Sequence, residues 1–207
     1  MTQALRFDPI RLPPEIQALR LEARELLADC RARGVYGEKS DAPRPVQMRA
    51  FAKEVAKKGW IGMTWPKEYG GRERSFLERY VISEEILVDR APNRTFFVAD
   101  RQSGPTLIRY GTQKQKDMFL SRILEGDVHF AIGYSEPDAG TDLASLRTTA
   151  RRDGDHYVVN GQKLWTTGGH QADYLWLAVR TDPDAPKHKG ISILIVDTSD
   201  PGYSWTP

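Results

Sequence analysis

The chain has 207 residues, 40% of them hydrophobic and 28% charged, with a formal net charge of +2. That length buries a sizeable core in one domain or two modest ones, and bases scattered among acids exclude the clustered Lys/Arg face that nucleic acid needs. The single cysteine excludes an intrachain disulfide and metal sites built on cysteine. Residues 1–8 lack a basic stretch leading into an apolar core, and no apolar run approaches the ~20 residues of a membrane span. The expectation is a cytoplasmic protein with no signal peptide, no membrane span and no nucleic-acid partner.

Pro13–Pro14–Glu15 opens a first helix, because proline in the first turn gives up an N–H that has no partner there. Ile16, Leu19, Ala23, Leu26, Leu27 and Cys30 then recur at helical spacing, and Gly34 supplies a stop. Cys30 on that face reads as a packed thiol rather than a reactive one. A polar, proline-bearing linker is expected over residues 36–45, then an amphipathic helix over 46–58 with Phe51 and Val55 inward and Gly59 ending it. Residues 60–71, rich in aromatics and glycines, read as a tightly packed connection. Ser75 and Glu78 make a capping box at the head of a third helix running to Asp89. Its acid pair, Glu84–Glu85, reads as solvated or structurally paired rather than catalytic. Ser103–Gly104–Pro105 starts a short helix that Gly111 ends, and a second capping box, Thr112 with Gln115, opens a helix to Leu124.

From residue 129 the pattern changes. An apolar strand runs into a corner, Tyr134–Ser135–Glu136–Pro137–Asp138–Ala139–Gly140–Thr141–Asp142, dense in hydroxyls and acids. Residues 146–152 and 156–160 alternate around the turn Asp153–Gly154–Asp155, which is a hairpin signal. Asn160–Gly161 leads to Gln162–Lys163–Leu164–Trp165–Thr166–Thr167, and strands are expected over 174–181 and 190–197. The fold class expected is α+β: an N-terminal all-α helical bundle over 1–128, then an incomplete antiparallel β-barrel domain over 129–207.

There is no P-loop, no Gly-x-Gly-x-x-Gly after a strand and no His-Glu-x-x-His. His129, His156, His170 and His188 lack ligand spacing and read as surface or turn residues, so no metal site is expected. Arg151–Arg152 reads as a solvated pair. Two clusters remain: Tyr134–Ser135 with Ala139–Gly140–Thr141, and Trp165–Thr166–Thr167. A flat, electron-poor ring needs an aromatic wall and hydrogen-bond partners around its edge. Trp165 can supply the wall, Ser135 and Thr167 the partners, and Gly140–Thr141 can present N–H groups to a phosphate.

Four motifs stand in order: Gly59–Trp60–Ile61–Gly62 with Pro66–Lys67–Glu68–Tyr69–Gly70–Gly71; Tyr110–Gly111–Thr112 with Gln115–Lys116; the corner from Tyr134 to Asp142; and Asn160–Gly161–Gln162–Lys163–Leu164–Trp165–Thr166–Thr167. With them the chain resembles the N-terminal half of acyl-CoA dehydrogenases over essentially its whole length. The resemblance implies a helical domain, a central β-barrel and a C-terminal four-helix bundle, with FAD between barrel and bundle. It implies a cofactor site of Ile132, Gly133, Tyr134, Ser135, Gly140, Thr141, Trp165, Thr166 and Thr167, with Ser135 near the flavin pyrimidine edge, Trp165 against the isoalloxazine and Thr167 toward N5. Thr141 corresponds to a position that meets the CoA part of the substrate. Asp138 stands where glycine is frequent, and Gly168–Gly169 replaces an Asn-Gly type turn, which is expected to loosen the loop after Trp165.

The implied reaction removes the α-proton of an acyl-CoA thioester with a carboxylate while the β-hydrogen passes as hydride to flavin N5. Electron-transfer flavoprotein is the implied acceptor, and a homo- or hetero-oligomer the implied assembly. The family's base sits on the C-terminal bundle, which the chain is expected to lack along with the closing barrel strands. No catalytic residue is therefore assigned; Glu136 reads as a tie within the corner, and an unclosed barrel is expected to expose a strand edge. Residues 100–105 fall where the acyl pocket wall begins, and their polarity points to a bulky or ring-bearing acyl group. Two alternatives stay open: a non-catalytic subunit docking on a full-length relative, and a flavin monooxygenase or nitroalkane-oxidase-like enzyme on the same fold.

Overall fold

The computed structural model describes residues 11–37 and 45–206. The segment read for a leader and residues 38–44 of the expected linker lie outside the described residues. Helix α1, Pro14–Ala32, carries proline in its first turn and buries the six residues that its periodicity selects, Ile16, Leu19, Ala23, Leu26, Leu27 and Cys30. Tyr36, at the start of the expected linker, is buried instead of solvated. Its ring meets Phe51 edge-on at 5.1 Å and its hydroxyl donates to Asp89 at 2.7 Å. Helix α2, Pro45–Lys57, supplies Phe51 together with Met48, Ala52 and Val55 to the same core.

The aromatic connection buries Trp60, Ile61, Met63 and Trp65. Trp65 donates from Nε1 to the Asp100 carbonyl at 3.0 Å, and the Gly62 N–H donates to the buried Asp100 carboxylate at 2.7 Å. Gly104 lies so close that a Cβ there would stand 2.1 Å from Trp65 Cζ2, which fixes glycine at that crossing. Helix α3, Phe76–Val88, starts from a complete Ser75–Glu78 capping box. Its acid pair is structural: Arg24 grips buried Glu85 at 2.8 and 3.0 Å, and Arg20 pairs with Glu84.

Helix α4, Arg94–Val98, and the π-helical turn after it, Ala99–Ser103, carry no capping signal and are not anticipated by periodicity. They run into α5, Gly104–Tyr110, and then α6, Gln113–Leu124, which opens on the expected Thr112–Gln115 box. Among the described residues no helix is long and apolar enough to cross a membrane.

Among the described residues five strands follow: β1 Phe130–Gly133, β2 Thr149–Asp153, β3 His156–Asn160, β4 Tyr174–Arg180 and β5 Ile191–Asp197. They form one open sheet beside the helical part, in the α+β arrangement expected. The pairings are mixed rather than wholly antiparallel: β2–β3 and β4–β5 are antiparallel, whereas β1 runs parallel to β4 with Ile132 opposite Trp176. Some forty residues separate β1 from β4, room enough for the chain to re-enter from the same end, which a hairpin cannot do. One sheet face meets the helices through an aromatic cluster. Phe119 on α6 lies 5.5 Å from Phe130 and 5.0 Å from Tyr174, ring centre to ring centre, and Trp176 joins them. The opposite face packs Ala131, Leu175, Leu177 and Val179. The helical part is further tied to the sheet by Arg49, which pairs with Asp173 at 2.7 Å.

Candidate functional site

β1 delivers the chain into the corner, and the stretch after β3 returns alongside it. The Leu164 N–H donates to the Ser135 carbonyl at 2.8 Å. Lys163 Nζ donates to the Tyr134 carbonyl at 3.1 Å and to Glu136 Oε1 at 2.8 Å. Glu136 also accepts the Arg147 N–H at 2.6 Å and the Thr148 N–H at 2.9 Å. Both charged side chains are at most 7% exposed. Burial alone raises a carboxyl, but Lys163 and the Thr148 and Arg147 donors outweigh it and hold Glu136 at about 2. Lys163 has fewer compensating partners, so burial pulls the ammonium below its ordinary value against the attraction of Glu136. The two motifs that sequence reasoning separated by some twenty residues are therefore one unit, cross-linked by a buried ion pair. Glu136 is the tie expected; Lys163, quoted only as part of a motif, is its other half.

The corner is closed by reciprocal hydrogen bonds between Glu136 and Ala139, at 2.8 and 3.2 Å. Pro137 and Asp138 project outward, and Gly140 and Thr141 are exposed beyond them. Asp142 next door accepts from Ser145 Oγ at 2.6 Å and pairs with Lys187 at 2.5 Å, which holds its carboxyl below the usual range. Of the earlier strand positions, Gly133 is backed against Leu175 and Leu177, and Ile132 and Tyr134 are half-buried on the helix-facing side. Burial pushes the Tyr134 phenol up.

Trp165 is the conspicuous residue of the site. Its backbone is left-handed, with φ +58°, and its indole is 87% exposed. A bulky residue in that region costs about 1–2 kcal/mol, and nothing in the packing of the indole offsets it. Beside it the Thr166 Oγ1 is buried without a hydrogen-bond partner, and Thr167 is exposed. A presented aromatic face, an orphaned hydroxyl and the nearby Ser135 fit the requirements of a flat heteroaromatic ring with polar edges, so the residues present are suited to a flavin. The loop after Trp165 is not loosened by Gly168–Gly169. Both glycines are buried in a turn closed by Gly169 N–H to Thr166 O at 3.0 Å and Ala172 N–H to Gly168 O at 3.0 Å.

An open cavity of about 380 Å³ lies against this unit. Tyr134 and Trp176 form its sheet wall, and Arg101, Gln102, Pro105, Thr106, Arg109 and Tyr110 its helical wall. The expected pocket segment over residues 100–105 thus reaches it through Arg101, Gln102 and Pro105, whereas Asp100 is turned to Gly62. Thr106, Arg109 and Trp176 were not selected from the sequence, and Tyr110 was quoted only as part of a motif; Arg101 comes from the π-helical turn and Arg109 from α5.

His129 departs from its expected surface position. It is buried at 2% exposure, its backbone N–H donates to Asp173 Oδ2 at 2.8 Å, and ring Nδ1 faces the Gln171 carbonyl at 3.2 Å. A carbonyl can only accept, so Nδ1 carries the proton, and burial lowers the imidazole below its usual value. Among the described residues no group of three His, Cys, Asp or Glu side chains could hold a metal ion.

Residues 13–127 match the family model "Acyl-CoA dehydrogenase, N-terminal domain", and residues 131–207 match "Acyl-CoA dehydrogenase, middle domain". The chain is 51% identical over 198 residues to the acyl-CoA dehydrogenase FadE29 of Mycobacterium tuberculosis, covering 96% of this chain and 51% of the relative. It superposes on the Tcur3481-Tcur3483 steroid ACAD with a TM-score of 0.82 at 47% identity, over 95% of this chain and 51% of that one. On the ChsE4-ChsE5 complex from Mycobacterium tuberculosis the TM-score is 0.83 at 45% identity, over 96% and 50%. A glutaryl-CoA dehydrogenase of Mycobacterium smegmatis, solved in complex with FADH2, matches with a TM-score of 0.75 at 27% identity, over 93% and 48%. The chain spans about half the length of the curated relatives it matches.

Proposed function

The chain belongs to the acyl-CoA dehydrogenase family, and from that premise we propose that it is the FAD- and acyl-CoA-binding half of an enzyme desaturating an acyl-CoA thioester between Cα and Cβ. The observation that carries the reading is Trp165, an indole held exposed at a strained backbone position beside an orphaned Thr166 hydroxyl. Bound FAD supplies the hydride acceptor for the β-hydrogen. Trp165 stacks on the ring system, while Ser135, Thr166 and Thr167 hydrogen-bond its edge and favour negative charge there. Glu136 and Lys163 act beneath them, fixing Tyr134–Ser135 and Leu164–Trp165 in one geometry. Thr141, exposed past the corner, meets the CoA portion, and Gly140 beside it contributes to the FAD site.

None of the three acids singled out in the sequence suits the α-proton. Glu85 is gripped by arginines, Glu84 is paired, and Glu136 at about 2 with three donors has little affinity for a proton. The two-component names of the steroid enzyme and the ChsE4-ChsE5 complex support a hetero-oligomer. The same steroid relative and the open cavity support a ring-bearing acyl group. Family resemblance supports electron-transfer flavoprotein as the acceptor.

The test is a reconstitution. Purified chain is mixed with FAD and with a protein supplying the remaining half, and dye reduction is followed on adding a ring-bearing acyl-CoA. Reduction that needs both proteins and the thioester is expected. Robust turnover by the chain alone contradicts the half-site reading, and oxygen consumption without any CoA thioester points to the oxidase alternative.

A further inference from the structure

The cavity beside Tyr134 has two walls of different chemistry. Tyr134 and Trp176 make an aromatic sheet side; Arg101 and Arg109 bring two guanidiniums to the helical side. Among the described residues no carboxylate lines it, since the adjacent Asp100 is buried and hydrogen-bonded to the Gly62 N–H at 2.7 Å. Neither guanidinium has a carboxylate within ion-pair distance among the described residues, and Asp100 is the carboxylate nearest to Arg101 in sequence. Arg101 is nevertheless held in place: Nη2 donates to Ser83 Oγ at 2.6 Å, and the guanidinium lies 4.4 Å over the Phe97 ring. Those contacts use one of its five donors. A half-buried, immobilised guanidinium with spare donors, whose neighbouring carboxylate Asp100 is turned to the Gly62 N–H, is suited to an oxygen acceptor on whatever fills the cavity.

Taking the acyl-CoA reading above as given, we propose that Arg101 and Arg109 bind the end of the acyl group farthest from the thioester, and select acyl-CoAs whose far end carries an oxygen acceptor over those ending in hydrocarbon. The placement follows from Tyr134: it precedes Ser135 of the proposed flavin edge, so the reacting carbons lie at the sheet wall and the helical wall meets what extends beyond them. About 380 Å³ falls within the usual size of a small-molecule site. A carbonyl and a carboxylate share the required chemistry, and guanidinium can serve either.

The experiment uses the assembled enzyme and three acyl-CoAs with the same rings, ending in a ketone, a carboxylate or hydrogen. Dissociation constants are measured by flavin spectral perturbation, at low and high salt. The oxygenated esters are expected to bind about 10- to 100-fold more tightly than the hydrocarbon. A carboxylate ligand is revealed by loss of that advantage in salt, a ketone by its persistence. Arg109→Leu, at an exposed position, and Arg101→Met are each expected to shrink the preference while leaving affinity for the hydrocarbon ester within about twofold. Equal affinity for all three esters in the unsubstituted enzyme, which needs no variant to fold, overturns the inference alone. Failure to bind any of the three overturns the acyl-CoA reading with it.

Discussion

Replacing Lys163 by methionine keeps the length of the side chain and removes its charge, leaving the buried Glu136 carboxylate with only the Arg147 and Thr148 N–H groups. Breaking one partner out of a buried pair costs about 3–5 kcal/mol. The acidity of Glu136 gives an independent figure: a carboxyl held at about 2 rather than 4.5 contributes ~3 kcal/mol at neutral pH. In a domain of this size each kcal/mol moves the melting temperature by roughly 2–4 °C, so Lys163→Met is expected to melt about 6–20 °C lower at pH 7. The pH dependence has a definite sign. Because Glu136 is depressed in the folded chain, its contribution is fully present above 4.5 and is lost as pH falls toward about 2. The melting gap between the unsubstituted chain and Glu136→Gln is therefore expected to be constant from neutral pH down to about that upper value and to narrow below it. Circular-dichroism melts across the range read both effects. A Lys163→Met melt within about 1 °C of the unsubstituted chain refutes the clamp.

Trp165→Gly and Trp165→Ala separate strain from binding. Both remove an indole that is 87% exposed, but only glycine accepts φ +58° without penalty, so Trp165→Gly is expected to be more stable than Trp165→Ala by about 1 kcal/mol in urea melts. Equal stabilities contradict the strained-backbone reading. Glu85→Ala leaves Arg24 and Arg20 without their buried acceptor and is expected to lose about 3 kcal/mol in the same assay. Dye reduction per folded molecule by the reconstituted enzyme stays within about twofold for that variant if the acid is structural, whereas a catalytic acid loses at least about 100-fold.

Much of the helical part was legible because its signals are local. Ser75–Glu78 and Thr112–Gln115 announce helix starts within four residues, and the α1 stripe from Ile16 to Cys30 repeats at one period. The turn of π-helix over Ala99–Ser103 was not, since what holds it is tertiary: the Asp100 carboxylate caps the distant Gly62 N–H. Tyr36 and His129 were misplaced for the same reason, their polar atoms being satisfied by Asp89 and by Gln171 and Asp173 far along the chain. Hairpin β2–β3 could be read from its turn dipeptide, but the parallel partnership of β1 with β4 leaves no local trace. At the site, residue chemistry alone suggested hydroxyls around an aromatic, and family resemblance turned that into a flavin edge. Neither could reveal that Trp165 sits left-handed, or that Lys163 and Glu136 lock the two motifs together.

The central claim is that the face carrying Ser135 and Trp165–Thr167 binds the isoalloxazine ring. Its most direct measurement is the FAD dissociation constant of the assembled enzyme, followed by flavin absorbance, with the unsubstituted chain, Trp165→Ala and Ser135→Ala. Loss of a stacked aromatic or an edge hydrogen bond is worth about 1–2 kcal/mol, so each variant is expected to bind FAD roughly 5- to 30-fold more weakly with its fold intact. FAD affinity unchanged in both variants contradicts the account.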